Sequence, residues 1–373
     1  MEVTSGPASC CTVDDTARRP RVAYTLEQCW HRVPGGMATA AIEVARAMTP
    51  DAAELIGVAG RHARPAPAAY TPPITVRTLP IGRPWLYETW LRAGWPKVEG
   101  ATGEVDVVHA TGLVPAACLA PLVVTVHDLA FLHAPEHFTR HGTRMMLRSL
   151  DVIRRRAALV LCSSTATMED CAANGIDAAR LRYVPLGTSA TETTDDDAER
   201  VRAQYSLPDH FVLFVGTIEP RKNLRRLHAA VGQLGDVPLV VAGSDGWGDA
   251  RPDADGAQVR FLGFVPPGDL PGLYKAATVF AYPSEREGFG LPVLEAMAQG
   301  TPVVTSAGTS TEEVAGGAAV LVAPTDIDSI AAGLAEAQRR SRELGDAGRV
   351  RAREMTWAAT AGATAAVYRE ASA

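Results

Sequence analysis

The sequence predicts an α/β protein built as two doubly wound lobes of similar size that face one another across a cleft. Three observations predict it. A chain of 373 residues is too long for one ordinary core and suits two domains. Short runs rich in Val, Ile and Leu recur, each followed by a helix-length Ala-rich segment, which is the alternation of parallel strands and crossover helices. A Thr/Asp-rich polar stretch over residues 188–199, without strand or helix period, separates these units into two sets and reads as a linker.

In the first set, strands are expected at residues 21–26, 54–58, 75–79, 105–109, 122–127 and 158–162. In the second set they are expected at 211–215, 239–242, 259–262, 279–282, 302–305 and 319–322. The predicted domains are therefore residues 1–190 and 191–356, with a Pro/Ala-rich loop at 61–73 interrupting the first. Hydrophobic residues make up 47% and charged residues 21%, the balance of a globular chain. No apolar run reaches the roughly 18 residues of a membrane span, and the first twenty residues carry Glu2, Asp14, Asp15, Arg18 and Arg19 in place of an apolar leader core, so a cytoplasmic protein is expected. The six cysteines, Cys10, Cys11, Cys29, Cys118, Cys162 and Cys171, lack any Cys-x-x-Cys pair and read as reduced thiols. A net charge of −6 gives no footprint for nucleic acid.

The sharpest chemistry lies in the second set. From Tyr282, an expected strand end, the chain runs through Gly288, Phe289, Gly290 and Leu291 into a helix expected to begin near Pro292. The glycines leave backbone N–H groups bare before a positive helix end, a cradle suited to a diphosphate. Glu287 and Glu295 frame this element with seven residues between them. Either glutamate alone reads as an ordinary solvated charge. Around the glycine loop, Glu295 suits ribose hydroxyls and Glu287 suits the hydroxyls of a sugar.

The second element, Gly216-Thr-Ile-Glu-Pro-Arg-Lys-Asn223, leaves another expected strand and leads to a helix expected to begin near Lys222. A cation at a helix start opposes the macrodipole, so an anion should sit beside it. Lys97, Lys222 and Lys275 are the only lysines in the chain, which makes an ammonium here a specific choice. Arg221 reads as a bystander or as a partner of Glu219.

At these residues the sequence resembles family 4 of the retaining glycosyltransferases, proteins of the GT-B fold with two facing Rossmann-like domains and an interdomain cleft. The matching stretches are Gly216–Asn223, Glu287–Glu295 and Ala298-Gln-Gly-Thr-Pro-Val-Val304, with looser matches at Gly35-Gly36, Asp106-Val-Val-His-Ala110, Val124-Thr-Val-His-Asp-Leu129 and Val184-Pro-Leu-Gly187. The branch it resembles contains bacterial mannosyl- and rhamnosyltransferases. The resemblance implies a hexose passing from a nucleoside-diphosphate sugar to an acceptor hydroxyl of a glycan, a lipid-linked molecule or a natural product. Lys222 would neutralise the leaving diphosphate, Glu287 would hold the transferred sugar and Glu295 the ribose. The backbone at Phe289, Gly290 and Leu291 would bind phosphate and sugar oxygens, and Val265 would border the base. Thr217 stands in the donor-binding turn where many members carry arginine. The resemblance also suggests that residues 357–373 cross back to the first lobe.

In the first lobe, His127 ends an expected strand beside Asp128. It either bonds a sugar hydroxyl and orients the acceptor or merely finishes the strand, and the resemblance favours the former. His109 reads as structural. Gly35 and Gly36 either let the backbone approach the diphosphate or make a tight turn. No cofactor and no metal are expected: Asp253-Ala-Asp255 and Asp326-Ile-Asp328 spell a metal-binding pattern on surface segments, and Lys222 makes a metal unnecessary. Arg140, Arg144 and Arg148 form either a solvated face or a peripheral contact with an anionic membrane. Trp85, Tyr87, Trp90 and Trp95 read as packing, with acceptor stacking as the alternative. Other readings within this architecture are a sugar-nucleotide epimerase, a phosphorylase, or a nucleotide-sugar binding protein without catalysis.

Overall fold

A computed structural model describes residues 19–189, 191–246, 250–252 and 258–373. Cys10, Cys11, the N-terminal charges through Arg18, and Asp253 and Asp255 lie outside the described residues.

The first sheet contains β1 (Arg21–Thr25), β2 (Glu54–Ala59), β3 (Val76–Thr78), β4 (Val107–Ala110), β5 (Leu122–Val126), β6 (Ala157–Cys162) and β7 (Leu181–Tyr183). The second contains β8 (Val212–Val215), β9 (Leu239–Ala242), β10 (Val259–Gly263), β11 (Val279–Tyr282), β12 (Val303–Ser306) and β13 (Val320–Val322). Their orders are β3-β2-β1-β4-β5-β6-β7 and β10-β9-β8-β11-β12-β13, with every pairing parallel. Central strands such as β8, β11 and β12 are buried along their whole length, as strands covered by helices on both faces must be. In each sheet the order reverses between the first strand and the strand after the first outward pair, at β1/β4 and at β8/β11, and ligand crevices open at such switch points.

Two local readings of the sequence are corrected. The polar stretch at 188–199 is not all linker: a helix, Asp195–Gln204, begins inside it, capped by the Thr194 side chain accepting from the Asp197 N–H. Three aspartates in its first turn complement the helix dipole, so what looked like a structureless acidic run is a helix start. The edge strand β7 also went unread, because its three residues lack an apolar run.

Lys222 does not open a helix. It ends a 3₁₀ turn, Pro220–Lys222; Asn223 follows with φ of +62°, and the helix starts at Leu224. Lys222 thus lies just ahead of the helix start, and its side-chain position has a further cause, given below. The second glycine loop does enter a helix, Leu291–Ala298, with Pro292 one residue inside its start.

The chain passes between lobes twice, and the two passages touch. Thr188 N–H donates to the Met355 carbonyl at 2.9 Å, and a Cβ at Gly187 would collide with Thr356, so only glycine fits at the crossing. Beyond it, the helix Trp357–Ser372 lies on β4, β5 and β6, with Val367 and Tyr368 buried against Val22, Val107, Val123 and Leu161. One apolar cluster is continuous between lobes, joining Tyr24, Leu26 and the helix Gly35–Ala47 to Phe289 and Leu291.

Candidate active site in the interlobe cleft

After β8, Gly216 adopts φ of +150° and the chain turns so that Lys222 folds back over it. A Cβ at Gly216 would sit 2.6 Å from the Lys222 Nζ, so the turn has no side chain in order to admit the ammonium. Lys222 is 8% exposed, and its Nζ lies 5.7 Å from the ring centroid of Tyr282 at the end of β11. Asn223 locks the turn, donating from Nδ2 to the Pro283 carbonyl at 3.0 Å.

The carboxylate Glu287 faces this cation group. The Tyr282 hydroxyl donates to Glu287 Oε1 at 2.9 Å, and Arg221 Nη1 pairs with the same oxygen at 2.8 Å. Arg221 Nε also pairs with Glu219 at 2.9 Å, and Nη1 donates to the Arg286 carbonyl. Arg221 is thus no bystander: it links two carboxylates at the cleft wall. Asp128, reaching from the first lobe, joins Glu287 and Glu219 in raising the Arg221 pKa well above normal against the lowering effect of burial. Burial would raise Glu287, but Arg221 and then Lys222 outweigh it and hold the carboxyl below its usual range. Burial lowers Lys222, with Glu287 opposing and Arg221 assisting. A buried ammonium whose charged form is disfavoured in this way gains from an incoming anion.

The loop after Glu287 is gripped from the first lobe. A Cβ on Gly288 would strike the His127 carbonyl, and Ser163 and Thr167 hydroxyls donate to both the His127 and Gly288 carbonyls. The Ser310 hydroxyl donates to the Glu287 carbonyl at 2.7 Å. Gly290, at φ of +108°, caps the Leu291 helix, and Phe289 and Leu291 are buried beside it. Gly36, in the first turn of its helix, faces the Leu291 side chain, where a Cβ would lie 3.8 Å from Cδ1.

One turn into the helix, half-buried Glu295 accepts from the Tyr274 hydroxyl at 2.8 Å. Burial raises its pKa, with the Tyr274 bond opposing. Tyr70, on the first lobe's 61–73 loop, has its phenol raised by burial and by the Glu295 charge, so the loop reaches across to the same pocket. Val265 is buried and the preceding Phe264 is exposed. Thr217 is half-buried, its methyl facing Gly246.

Burial lowers the His127 pKa, opposed by Asp128 and by a bond to the Thr111 backbone, leaving a neutral imidazole at the cleft. His109 is committed to structure, its ring nitrogens each 2.7 Å from the Tyr368 and Thr125 hydroxyls, with burial and then His127 pushing its pKa down to about 3. Asp326 caps a helix through the N–H groups of Asp328 and Ser329. Of the four aromatics near residue 90, Trp90 is buried in the core and Tyr87 packs against it, whereas Trp85 and Trp95 are 69% and 53% exposed, which corrects the packing reading for those two. Arg148 reaches Glu88 at 3.5 Å, whereas Arg140 and Arg144 are exposed.

Sequence reasoning missed Tyr282, Tyr274, Tyr70, Ser163 and Thr167. Tyr282 was visible as the last strand residue before the glycine loop, and an aromatic there is within reach of a cation; the others come from distant segments.

Two facing parallel-sheet lobes enclosing this cleft define the GT-B glycosyltransferase fold. Residues 34–192 match the family model Glycosyltransferase Family 4 and residues 195–351 match Glycosyl transferases group 1, so the chain belongs to this glycosyltransferase family. It is 36% identical over 254 residues to O-antigen chain mannosyltransferase B of Escherichia coli, covering 63% of this chain and 66% of that one. It is 34% identical over 202 residues to D-inositol 3-phosphate glycosyltransferase of Mycobacterium tuberculosis, covering 50% and 42%. The chain thus spans just under two thirds of the first relative and less than half of the second. In fold it is similar to Anabaena HepE in complex with UDP and glucose, with TM-score 0.71, 20% identity and coverage of 94% and 99%. It is also similar to WaaG, a glycosyltransferase involved in lipopolysaccharide biosynthesis, with TM-score 0.70, 16% identity and coverage of 93% and 99%.

Proposed function

We propose that the protein transfers a hexose from a nucleoside-diphosphate sugar to an acceptor hydroxyl, with retention at the anomeric carbon and without a metal. The observation that carries this reading is the buried Lys222 ammonium, folded over Gly216 and facing the loop Glu287–Gly290 at the start of the Leu291 helix. Lys222 and the helix N–H groups stabilise the departing diphosphate, a role a metal fills elsewhere. Glu287, held ionised, accepts from hydroxyls of the transferred sugar, and Glu295 accepts from the ribose. The acceptor oxygen bonds the anomeric carbon on the face the diphosphate leaves, and its proton passes to a departing phosphate oxygen. Neutral His127 orients the acceptor from the opposite wall.

The kinship to a mannosyltransferase and to an inositol phosphate glycosyltransferase supports a glycan or small polyol acceptor. A cytoplasmic site with peripheral membrane contact through Arg140 and Arg144 fits the same reading, with Arg148 tied to Glu88. Among the described residues no helix is long and apolar enough to cross a membrane.

A thermal-shift screen against nucleoside diphosphates and their sugars tests the donor, since a ligand at a hundredfold its Kd adds about 2.7 kcal/mol. Transfer should persist in chelator, and NMR of the product should show the donor's anomeric configuration. Isomerised donor or phosphorolysis would favour an epimerase or phosphorylase. Donor binding without transfer or slow hydrolysis would make the chain a binding protein, the reading that Thr217 in place of a second cation favours.

A further inference from the structure

The first lobe's cleft wall holds a polar cluster that the donor chemistry leaves unused. Glu27, two residues beyond β1, is 2% exposed. Its Oε2 accepts from the Gly60 N–H at 2.7 Å and faces His62 Nε2 at 3.1 Å, while its Oε1 is buried without a hydrogen-bond partner. Burying a carboxylate oxygen without a donor is costly, and such a group is retained where something else supplies the donor.

The neighbours are of the kinds that hold a sugar ring. The rings of Trp30 and His62 stack at 4.8 Å, forming an apolar face, and His31 Nε2 lies 3.1 Å from the Tyr87 hydroxyl. Arg83 covers the Tyr87 ring at 5.4 Å and is exposed. Exposed Arg61 and Arg64 flank His62 in sequence.

The cluster lies beside the catalytic cleft. Gln28, next to Glu27, donates to Thr111 Oγ1 at 2.6 Å, and the Thr111 backbone bonds His127. The 61–73 loop that carries His62 also carries Tyr70, within the field of Glu295.

We infer that Glu27, His62, Trp30 and Arg83 form a subsite for a sugar ring carrying an anionic phosphate, with Glu27 Oε1 accepting from a ring hydroxyl and Arg83 meeting the phosphate. On the glycosyl-transfer reading above, this is where the acceptor sits.

The test is calorimetric titration of the full chain, first saturated with the nucleoside diphosphate that stabilises it most, so that the donor's phosphate cradle is filled. The probes are α-D-mannose 1-phosphate, α-D-glucose 1-phosphate and the two free hexoses. At least one sugar phosphate should bind tenfold or more tightly than its parent hexose. Glu27→Gln should weaken it about tenfold, the loss of one charge-assisted hydrogen bond. Arg83→Ala, a change at an exposed residue, should abolish the preference for the phosphorylated sugar while leaving the hexose unaffected. Sugar phosphate that binds wild type and both variants alike overturns the inference, as does a chain that holds the nucleoside diphosphate yet binds no sugar phosphate. If no nucleoside diphosphate binds, the donor reading fails separately, and the dependence on Glu27 and Arg83 is read in the unliganded chain.

Discussion

The two walls of the cleft are built differently. On the proposed reading the donor wall comes from two continuous stretches, residues 216–223 and 282–295, each leaving one strand of the β8/β11 switch point. The facing wall gathers Glu27, His62, Tyr87 and His127 from four separate segments, joined only by hydrogen bonds and ring contacts. A diphosphate has one charge pattern that a fixed local turn can meet. The facing wall spreads its contacts over several separate segments. The donor wall should therefore fail abruptly when a single charge is removed, and the facing wall by degrees.

The largest effect is expected at Lys222. Lys222→Ala should lower transfer by about 10³-fold, the scale of losing a preorganised donor to a developing anion. Its melting temperature should hold, because burial already disfavours this ammonium. Glu287→Ala should abolish transfer as fully while costing stability, since Arg221 and Lys222 lose their shared counter-charge. Initial rates and thermal melts check both, and turnover retained in the two variants would remove the donor-site assignment.

Arg221→Met separates structure from chemistry on the same wall. It strands Glu219 and Glu287, whose bonds to Arg221 are 2.9 and 2.8 Å, and should cost about 3–5 kcal/mol in urea unfolding. A loss under 1 kcal/mol would mean that solvent reaches this cluster freely. Gly288→Ala probes where the walls meet: its Cβ strikes the His127 carbonyl, so the lobes or the loop must shift. The expected cost is about 1–3 kcal/mol, with the donor KM raised and the unfolding slope unchanged.

The same contrast explains what the sequence disclosed. Twelve of the thirteen strands were legible, the central ones because parallel strands buried on both faces must be runs of Val, Ile and Leu; β7 is three residues of mixed polarity without such a run. The Lys222 and Glu287 neighbourhoods were legible because each is a local turn. More than the following helix start places Lys222: the glycine it folds over, the Tyr282 face and Glu287 hold it. Arg221 was misjudged because its second partner lies 66 residues away along the chain. Glu27 gave no signal, since Leu26-Glu-Gln reads as a strand running out into solvent until Gly60 and His62 close over it.

The smallest expected effect concerns Glu295 and appears only as a slope with pH. Burial raises this carboxyl above its ordinary value, so the protonated form is favoured in the folded chain. Its contribution to stability is complete below the unfolded pKa of about 4.3 and is lost as pH rises through the higher folded value. Glu287 runs the opposite way: its lowered pKa contributes stability above the unfolded value that disappears on acidification. The difference between wild type and Glu295→Gln isolates the first effect, because glutamine carries no titrating proton. Relative to the variant, wild type should lose stability across the window just above pH 4.3, read from urea midpoints. A bound nucleoside diphosphate whose ribose hydroxyls donate to Glu295 restores the charged form and should flatten that difference, whereas a 2′,3′-dideoxy analogue should leave it. An equal response to both nucleotides would place the ribose away from Glu295 and return that residue to a purely structural bond with Tyr274.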